Sequence, residues 1–201
     1  MTSTNSYISR TRAPDPGAPL IFAFHGTGGD ESQFFDLLRQ IHPGAGIVSP
    51  RGDVSEGGAA RFFRRTGEGV YDMADLARRT AQMAAFVAAQ KAAHPGVPVY
   101  GFGYSNGANI LASVVMAHPD LFDRIGLLHP LIPWDPAPVD LTGREVLITA
   151  GRRDPICPWP ESERLLRWFG DQGAEVQAEV HNGGHEIRQG EIAALATLLT
   201  R

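Results

Sequence analysis

The feature that most constrains the fold is a serine flanked by glycines, the sequence Gly-Tyr-Ser-Asn-Gly at residues 103–107. An apolar run precedes it and apolar residues with helical spacing follow it, which predicts a strand, a sharp turn and a helix. The turn matches the G-x-S-x-G pattern of a nucleophile elbow, in which a strained corner pushes one side chain out of the sheet. Gly103 and Gly107 lack a Cβ, so strand and helix can approach closely around Ser105.

Elsewhere, apolar runs of strand length alternate with stretches of helical period. The run at residues 20–24 is continuously apolar, which is typical of a strand buried on both faces of a parallel sheet. This alternation predicts an α/β protein with a doubly wound, mostly parallel sheet of about six or seven strands flanked by helices. Besides the strand that enters residue 103, strands are expected at residues 7–11, 20–24, 45–49, 125–128, 145–150 and 175–180.

Two aspartates carry signals for helix starts. Asp30, with Gln33 at the capping-box distance, predicts the N-cap of a helix that Pro43 ends. Asp72 predicts the N-cap of a long amphipathic helix. By contrast, residues 53–70 show no regular period and are predicted to be loop. Two further helices are expected at residues 161–169 and 187–199.

Length and charge limit the classes of function. A chain of 201 residues is most simply a single domain, residues 1–201, without room for a large lid. A net charge of −4 argues against a general binder of nucleic acid or acidic membranes. Residues 1–17 are polar, no run of eighteen apolar residues occurs, and the lone Cys157 cannot form an internal disulfide. We expect a cytoplasmic protein without stable membrane insertion; the oligomeric state stays open, a homodimer included.

Polar clusters follow several of the predicted strands where those strands end. In an open parallel sheet the ligand lies beyond the carboxyl ends of the strands. The clusters should therefore share one crevice. They come directly after Phe24, Tyr104, Ala150 and Val180.

A serine nucleophile needs a base, and the chain offers seven histidines. Three of them, His42, His94 and His118, precede a proline at a helix end and are expected to face solvent. His129 ends a strand and is kept only as a wall of the pocket. His185 follows Gly-Gly, which lets its loop fold back over the sheet edge, and we favour it as the base over His181.

The order serine, acid, histidine is the one that this elbow predicts. The best placed carboxylate is Asp154, which lies three residues beyond a strand and is locked by Pro155. Asp135, after the preceding strand, is the alternative.

An oxyanion needs backbone donors near the serine. The N–H of Asn106 starts the helix after Ser105, and the Gly-rich loop after residue 24 offers the N–H of Thr27. His25 is expected to orient this loop and to border the pocket. No metal or cofactor is predicted, because the histidines are scattered along the chain, there is one cysteine, and no nucleotide-binding glycine motif occurs.

Several motifs carry a resemblance to a known family: His-Gly-Thr-Gly-Gly at 25–29, Gly-Tyr-Ser-Asn-Gly-Ala-Asn at 103–109, Gly-Arg-Arg-Asp at 151–154 and Gly-His at 184–185. Over nearly its whole length the chain resembles the α/β-hydrolase superfamily, and within it the small carboxylesterase and phospholipase group that includes acyl-protein thioesterases. With Arg-Phe-Phe-Arg-Arg at 61–65, it looks closest to bacterial hydrolases associated with hydroquinone and quinone stress. The resemblance implies Ser105 as nucleophile, Asp154 as acid, His185 as base, and the amides of Thr27 and Asn106 as oxyanion hole.

The sequence indicates the residues that would bind the substrate less directly than it indicates the catalytic residues. A shallow pocket roofed by residues 53–70 and 130–138 would favour short acyl or aromatic esters. The arginines at positions 61, 64 and 65 are expected to form a solvated face rather than an anion clamp. The aromatic residues available to line the pocket are Phe62, Phe63, Trp134 and Trp159, with burial in a loop the alternative for the two phenylalanines.

The sequence therefore predicts a serine hydrolase that cleaves a small-molecule carboxylic ester through an acyl-enzyme. A histidine base predicts activity that rises from mildly acidic to neutral pH. The alternatives are an acyl thioesterase or lysophospholipase-type activity and a non-catalytic ligand-binding protein of the same fold. A hydrolase of the dienelactone type, using Cys157, is disfavoured because the elbow holds serine.

Overall fold

A computed structural model describes residues 6–201; residues 1–5 of the polar start lie outside the described residues. The strands in chain order are β1 (Ser9–Arg12), β2 (Leu20–Phe24), β3 (Gly46–Pro50), β4 (Val54–Glu56), β5 (Ala59–Arg61), β6 (Arg65–Gly67), β7 (Val70–Tyr71), β8 (Val99–Tyr104), β9 (Arg124–Leu128), β10 (Glu145–Gly151) and β11 (Glu175–His181). The helices are α1 (Phe35–Ile41), α2 (Met73–Ala93), α3 (Asn106–Ala117), α4 (Trp159–Asp171) and α5 (Gln189–Thr200).

The main sheet has seven strands in the order β1-β3-β2-β8-β9-β10-β11. All neighbouring pairs are parallel except β1 with β3, which is antiparallel at the edge. The predicted α/β architecture with six or seven mostly parallel strands is confirmed.

The core lies on both faces of this sheet. In β2, Leu20, Phe22 and Phe24 pack with residues of α2, α3 and α4 on one face. The alternating Ile21 and Ala23 pack with α1 and α5 on the other. Successive side chains of a strand point to opposite faces of the sheet. Because helices cover both faces of β2, every position in this run is apolar. None of the helices within residues 6–201 combines the length and apolar character needed to cross a membrane.

The two predicted helix caps differ. Asp72 is the N-cap of α2 and accepts the N–H of Asp75 at 3.0 Å, as expected. Asp30 is not a helix cap, and α1 starts later, at Phe35, without a side-chain cap. Asp30 accepts the N–H of Ser32 in a local turn, at 2.8 Å. The side chain of Gln33 instead accepts the N–H of Gly26, at 2.9 Å, so the capping-box pattern serves the loop after β2.

The prediction that residues 53–70 are loop is wrong in part. The segment folds into two antiparallel hairpins, β4 with β5 and β6 with β7. Between them, Phe62 and Phe63 are buried in the core. Strands of two or three residues leave little periodicity in the sequence, and tertiary contacts of the buried rings hold them.

Candidate active site

The elbow occupies the junction of β8 and α3 as the sequence predicts. Ser105 has φ 52° and ψ −116°, a backbone conformation that non-glycine residues rarely adopt. Its N–H donates to the carbonyl oxygen of Leu128 at 2.9 Å, which ties the corner to β9. A Cβ on Gly103 would overlap the carbonyl of Gly107, and one on Gly107 would overlap the carbonyl of Phe24. Both glycines are therefore required by close backbone approach.

The structure brings the three predicted catalytic side chains together. Nε2 of His185 lies 2.9 Å from Oγ of Ser105. Nδ1 of the same ring lies 2.7 Å from Oδ2 of Asp154. The hydroxyl, imidazole and carboxylate thus form one continuous hydrogen-bonded chain, with the carboxylate fully buried and His185 partly open to solvent.

Asp154 is held by donors on both carboxylate oxygens. Oδ1 accepts the backbone N–H groups of Ile156 and Cys157, at 2.8 and 2.9 Å. Oδ2 accepts from His185 and also from Nδ1 of His129, at 2.8 Å. Burial opposes ionisation, but the hydrogen bonds from the two histidines and the two amides hold the pKa of Asp154 far below its ordinary value. The carboxylate is therefore ionised and fixed in one orientation.

The loop that carries His185 is anchored at several points. The N–H of Arg153 donates to the carbonyl of Gly183 at 2.9 Å. A Cβ on Gly151 would overlap the carbonyl of Gly184, so the loop packs directly against the end of β10. The hydroxyl of Tyr104 donates to the carbonyl of His185 at 2.7 Å. These contacts explain how a glycine-rich loop presents an imidazole in one place.

The two predicted oxyanion donors belong to the first turn of α3 and to the loop after β2, which meet where Gly107 approaches the carbonyls of Phe24 and His25. Asn106 is the first residue of α3, where backbone N–H groups lack partners within the helix. Thr27 is exposed in the loop after β2. The hairpin strand β5 and the residues after it support both. Phe62 N–H donates to Oδ1 of Asn106 at 2.8 Å, and Arg61 donates to Oγ1 of Thr27 at 2.6 Å.

Arg61 does not lie on a solvated face, as the sequence suggested. Only 3% of its side chain is exposed, and Nε lies 3.1 Å from Oε2 of Glu56. Arg64 is exposed, and Arg65 pairs with Glu56 and with Glu68. Arg61, the arginine nearest the site, is therefore buried and supports the loop that carries Thr27.

His25 orients its loop but does not line a pocket, since it is 1% exposed. Its Nδ1 contacts the carbonyl of Gly26 at 2.7 Å, and its Nε2 accepts the N–H of Gly52 at 2.9 Å. Burial lowers its pKa, which keeps the ring neutral and suits the acceptor role of Nε2.

The expected aromatic pocket lining is wrong for Phe62 and Phe63. Both rings are buried, and Phe62 packs against the ring of His25 at 4.6 Å. Trp134 is partly buried and borders a groove between α2 and α3. Trp159 begins α4, where the guanidinium of Arg152 lies 4.7 Å from its ring centroid.

The rejected alternatives lie elsewhere or are chemically unsuited. Asp135 pairs with Arg164 at 2.7 Å and its side chain is 97% exposed, outside the hydrogen-bonded chain of Ser105. His181 is mostly buried, and its Nε2 faces Glu191 and not Ser105. Cys157 is buried, its Sγ donates to the carbonyl of His129 at 3.2 Å, and burial raises the pKa of the thiol. A thiol in that state is a poor nucleophile.

Sequence reasoning missed a buried extension of the site. His129 is not a pocket wall: its ring is completely buried between Asp154 and Glu191, with Nε2 at 2.9 Å from Oε1 of Glu191. Oε2 of Glu191 lies 3.1 Å from Nε2 of His181. The sequence did contain one signal for this network. Glu191 falls on the buried face of the last helix, and a carboxylate is rarely buried there without a partner.

Two sets of described side chains bring potential metal-ligand atoms within 4.8 Å of one another. They are His129, His181 and Glu191, and His129, Asp154 and His185. Nδ1 of His181 accepts the N–H of Gly183 at 2.9 Å, so the ring proton belongs on Nε2, which faces Glu191. Because a protonated nitrogen cannot ligate, this set fits a network of ion-pair contacts better than a metal ion. The absence of a metal stays a prediction.

Known proteins of similar sequence and structure were found. The chain is 39% identical over 175 residues to the Bacillus subtilis (strain 168) protein named "Putative hydrolase MhqD", covering 86% of this chain and 88% of that one. A solved carboxylesterase from Bacillus cereus is 32% identical with TM-score 0.91, covering 96% of this chain and 93% of its own. The protein Atu2452 of unknown function from Agrobacterium tumefaciens str. C58 is 54% identical with TM-score 0.94, covering 99% and 98%. No protein-family model matches the chain.

The fold and its likenesses define a protein of the α/β-hydrolase fold, as the sequence resemblance predicts. Another carboxylesterase structure, from Mesorhizobium loti, is 32% identical with TM-score 0.82 over 90% of this chain and 88% of that one. The chain belongs to the family of α/β-hydrolase-fold hydrolases that includes the Bacillus subtilis protein and these carboxylesterases.

Proposed function

We propose that the protein is a serine carboxylesterase that cleaves small carboxylic esters through an acyl-enzyme intermediate. The observation that carries this proposal is the chain of hydrogen bonds from Ser105 through His185 to Asp154, with distances of 2.9 and 2.7 Å. Two family members whose names are carboxylesterases support the same class of substrate.

Each group has one role in the reaction. Oγ of Ser105 attacks the ester carbonyl carbon while Nε2 of His185 takes the hydroxyl proton. The bond to the alcohol breaks, that proton passes to the leaving oxygen, and the acyl group stays on Ser105. Water then attacks the acyl carbon while its proton passes to His185. The bond from the acyl carbon to Oγ breaks, His185 returns the proton to Oγ, and the carboxylic acid leaves. Asp154 holds the imidazole in one tautomer and stabilises its charged form.

The tetrahedral intermediates carry a negative oxygen that needs donors. The N–H groups of Asn106 and Thr27 fill this role, each worth roughly 2.7–4 kcal/mol in sites of this kind. Support for the two residues comes from Phe62 and Arg61, which bind their side chains and leave the backbone N–H groups for the substrate.

The substrate is proposed to be small. The segment of residues 54–71 contacts the side chains of Thr27 and Asn106. It consists of two short hairpins, and the two phenylalanines between them anchor it in the core. A site without a long hydrophobic lid favours short acyl chains over long ones.

Replacement of the nucleophile tests the proposal. Ser105→Ala is expected to lower kcat for a short p-nitrophenyl ester by a factor of 10⁴ or more, because the acyl-enzyme can no longer form. Cys157→Ser is the matched control and is expected to keep its activity, since the elbow and not the buried thiol supplies the nucleophile. Activity that survives in the first variant or disappears in a folded second variant would overturn the assignment of Ser105.

A series of substrates distinguishes a carboxylesterase for small esters from a thioesterase and from a non-catalytic ligand-binding protein. Purified protein is assayed with p-nitrophenyl esters from two to sixteen carbons and with matching acyl thioesters. We expect kcat/KM to be highest for short oxyesters and to fall as the chain lengthens. A maximum for long thioesters would replace the small-ester proposal with a thioesterase. Binding of an aromatic ester without turnover at any pH would indicate a ligand-binding protein.

A further inference from the structure

A buried ion network extends from the candidate active site to the last helix. It runs from Asp154 to His129, then to Glu191 and His181, with successive contacts of 2.8, 2.9 and 3.1 Å. His129 and Glu191 are 0% and 1% exposed. Neither can touch a substrate, so any influence on the reaction must pass through Asp154.

The contacts of His129 determine its charge. Nδ1 faces a carboxylate oxygen of Asp154 and Nε2 faces a carboxylate oxygen of Glu191. Nδ1 donates to Asp154, and Nε2 lies at ion-pair distance from Glu191 without meeting hydrogen-bond geometry. An unprotonated Nε2 would turn its lone pair toward that ionised carboxylate and be repelled, so both ring nitrogens carry protons and the ring is an imidazolium. The positive ring between two buried negative groups compensates charges that would be costly to bury alone.

The backbone of His129 is built to hold this position. Its φ of 49° is one of two positive values at non-glycine residues within residues 6–201, the other being that of Ser105. Its N–H donates to the carbonyl of Thr149 at 3.1 Å, and its carbonyl accepts from Sγ of Cys157. Strained backbone of this kind persists only where the surroundings fix it, and it clusters at functional sites.

The two carboxylates that flank the ring favour its charged form. Burial would lower the pKa of His129, but its hydrogen bonds to Asp154 and Glu191 raise that pKa to about 9. Burial opposes the charge of Glu191 as well, and the contact with His129 holds its pKa below the ordinary value. The titratable groups that face His129 are Asp154, Glu191, His181, His185, Tyr104 and Cys157.

We propose that His129 is a positioning residue: a buried imidazolium that joins Asp154 to Glu191 and so fixes the carboxylate that orients His185. This proposal rests on the proposed function, because it assigns His129 a role in the work of Ser105, His185 and Asp154. Asp154 Oδ2 is shared by two imidazoles, and His129 restricts the rotation that His185 alone would allow.

Nuclear magnetic resonance of the wild-type protein tests the charge directly. In protein labelled with ¹⁵N-histidine, the resonances of His129 are assigned by their loss in His129→Gln. We expect both ring nitrogens of His129 to be protonated at pH 7, with the proton lost only near pH 9. A ring with one protonated nitrogen at pH 7 would overturn the proposal. This result does not depend on any ester being cleaved.

Kinetics test the positioning role. The double variant His129→Gln with Glu191→Gln removes one positive and one negative charge, so the net charge of the network is unchanged, and Asp154 keeps its hydrogen bonds from His185 and two backbone amides. We expect kcat to fall about 10- to 100-fold, the usual loss when the partner that orients an active-site group is removed, while KM changes less than about threefold. The exposed His118→Gln makes the same chemical change at the end of α3 and serves as control.

Failure of the positioning role of His129 can be distinguished from failure of the esterase proposal. A folded double variant with unchanged kcat would overturn the positioning role while the esterase proposal stands. If the double variant does not fold, the wild-type histidine spectrum decides. Loss of the esterase proposal would instead appear as activity retained by Ser105→Ala.

Discussion

Most of the charged interactions of the candidate site involve the carboxylate of Asp154. Two backbone amides and two imidazoles donate to its carboxylate, so each oxygen accepts two hydrogen bonds. A neutral amide of the same shape would turn an NH₂ group toward donors on one side or the other. The geometry therefore requires an ionised carboxylate and not merely a polar group at this position.

Replacing this carboxylate should expose its role. Asp154→Asn is expected to lower kcat by about 10³- to 10⁴-fold at pH 7, since the imidazole loses its orienting acceptor. Steady-state rates with a short p-nitrophenyl ester measure the effect. Asp135→Asn, which changes the exposed alternative acid, is the matched control and should stay within about twofold. A large loss in the control, or less than tenfold loss in the first variant, would contradict the assignment of Asp154.

His129 should also make stability depend on pH. Its pKa is raised from 6.5 to about 9 in the fold, so its contribution to the free energy of unfolding is fully present below pH 6.5 and is lost as pH rises through about 9. The shift corresponds to about 3 kcal/mol. Burial raises the pKa values of Tyr7 and Tyr104 to about 12, so tyrosine effects begin above pH 10.

Urea unfolding at pH 6.5 and pH 9.5 measures this contribution. Wild-type protein is expected to lose stability between the two values, and the double variant His129→Gln with Glu191→Gln should lose clearly less. Equal losses in the two proteins would contradict a charged His129.

Among the secondary-structure elements, the junction of β8 and α3 leaves the least room for a larger residue. The strand β8, the first turn of α3 and the end of β2 meet at Gly107, where a Cβ would overlap the carbonyls of Phe24 and His25. The same contact lies directly before the loop that carries Thr27. Any shift that relieves the overlap should move one oxyanion donor relative to the other.

Gly107→Ala is therefore expected to impair both stability and catalysis. Overpacking should reduce the free energy of unfolding by about 1–3 kcal/mol, and kcat should fall more than KM rises. Denaturant unfolding and steady-state kinetics measure the two effects. Gly170→Ala in α4 is the control: its Cβ would meet nothing within 4 Å. Because alanine favours helix over glycine by about 1 kcal/mol, the control should be unchanged or slightly more stable. Equal behaviour of the two variants would contradict the close-approach argument.

Sequence reasoning found the three side chains that the structure joins by hydrogen bonds, because each of them has a local signal. Ser105 lies in a glycine-flanked corner, Asp154 precedes a proline beyond a strand, and His185 follows two glycines. It failed where tertiary contacts decide. The hairpins of residues 54–71 have strands of two or three residues, too short for periodicity. The buried partnership of His129 and Glu191 joins residues 62 positions apart. A carboxylate on the buried face of the last helix indicates that Glu191 needs a partner, but nothing in the local sequence identifies His129 as that partner.

At the scale of the whole molecule, strand order assembles the site. Five adjacent parallel strands, β2, β8, β9, β10 and β11, end at one edge of the sheet. The residues that follow them are Thr27, Ser105, His129, Asp154 and His185. Residues far apart in the chain become neighbours because each one follows a strand whose register is fixed by its pairing.

The central claim is that Ser105 is the nucleophile. Reaction of the purified protein with a fluorophosphonate, followed by proteolysis and mass spectrometry, locates the modified residue most directly. We expect one adduct per chain, on the peptide that contains Ser105, and none in Ser105→Ala. An adduct on another residue, or labelling undiminished in that variant, would contradict it.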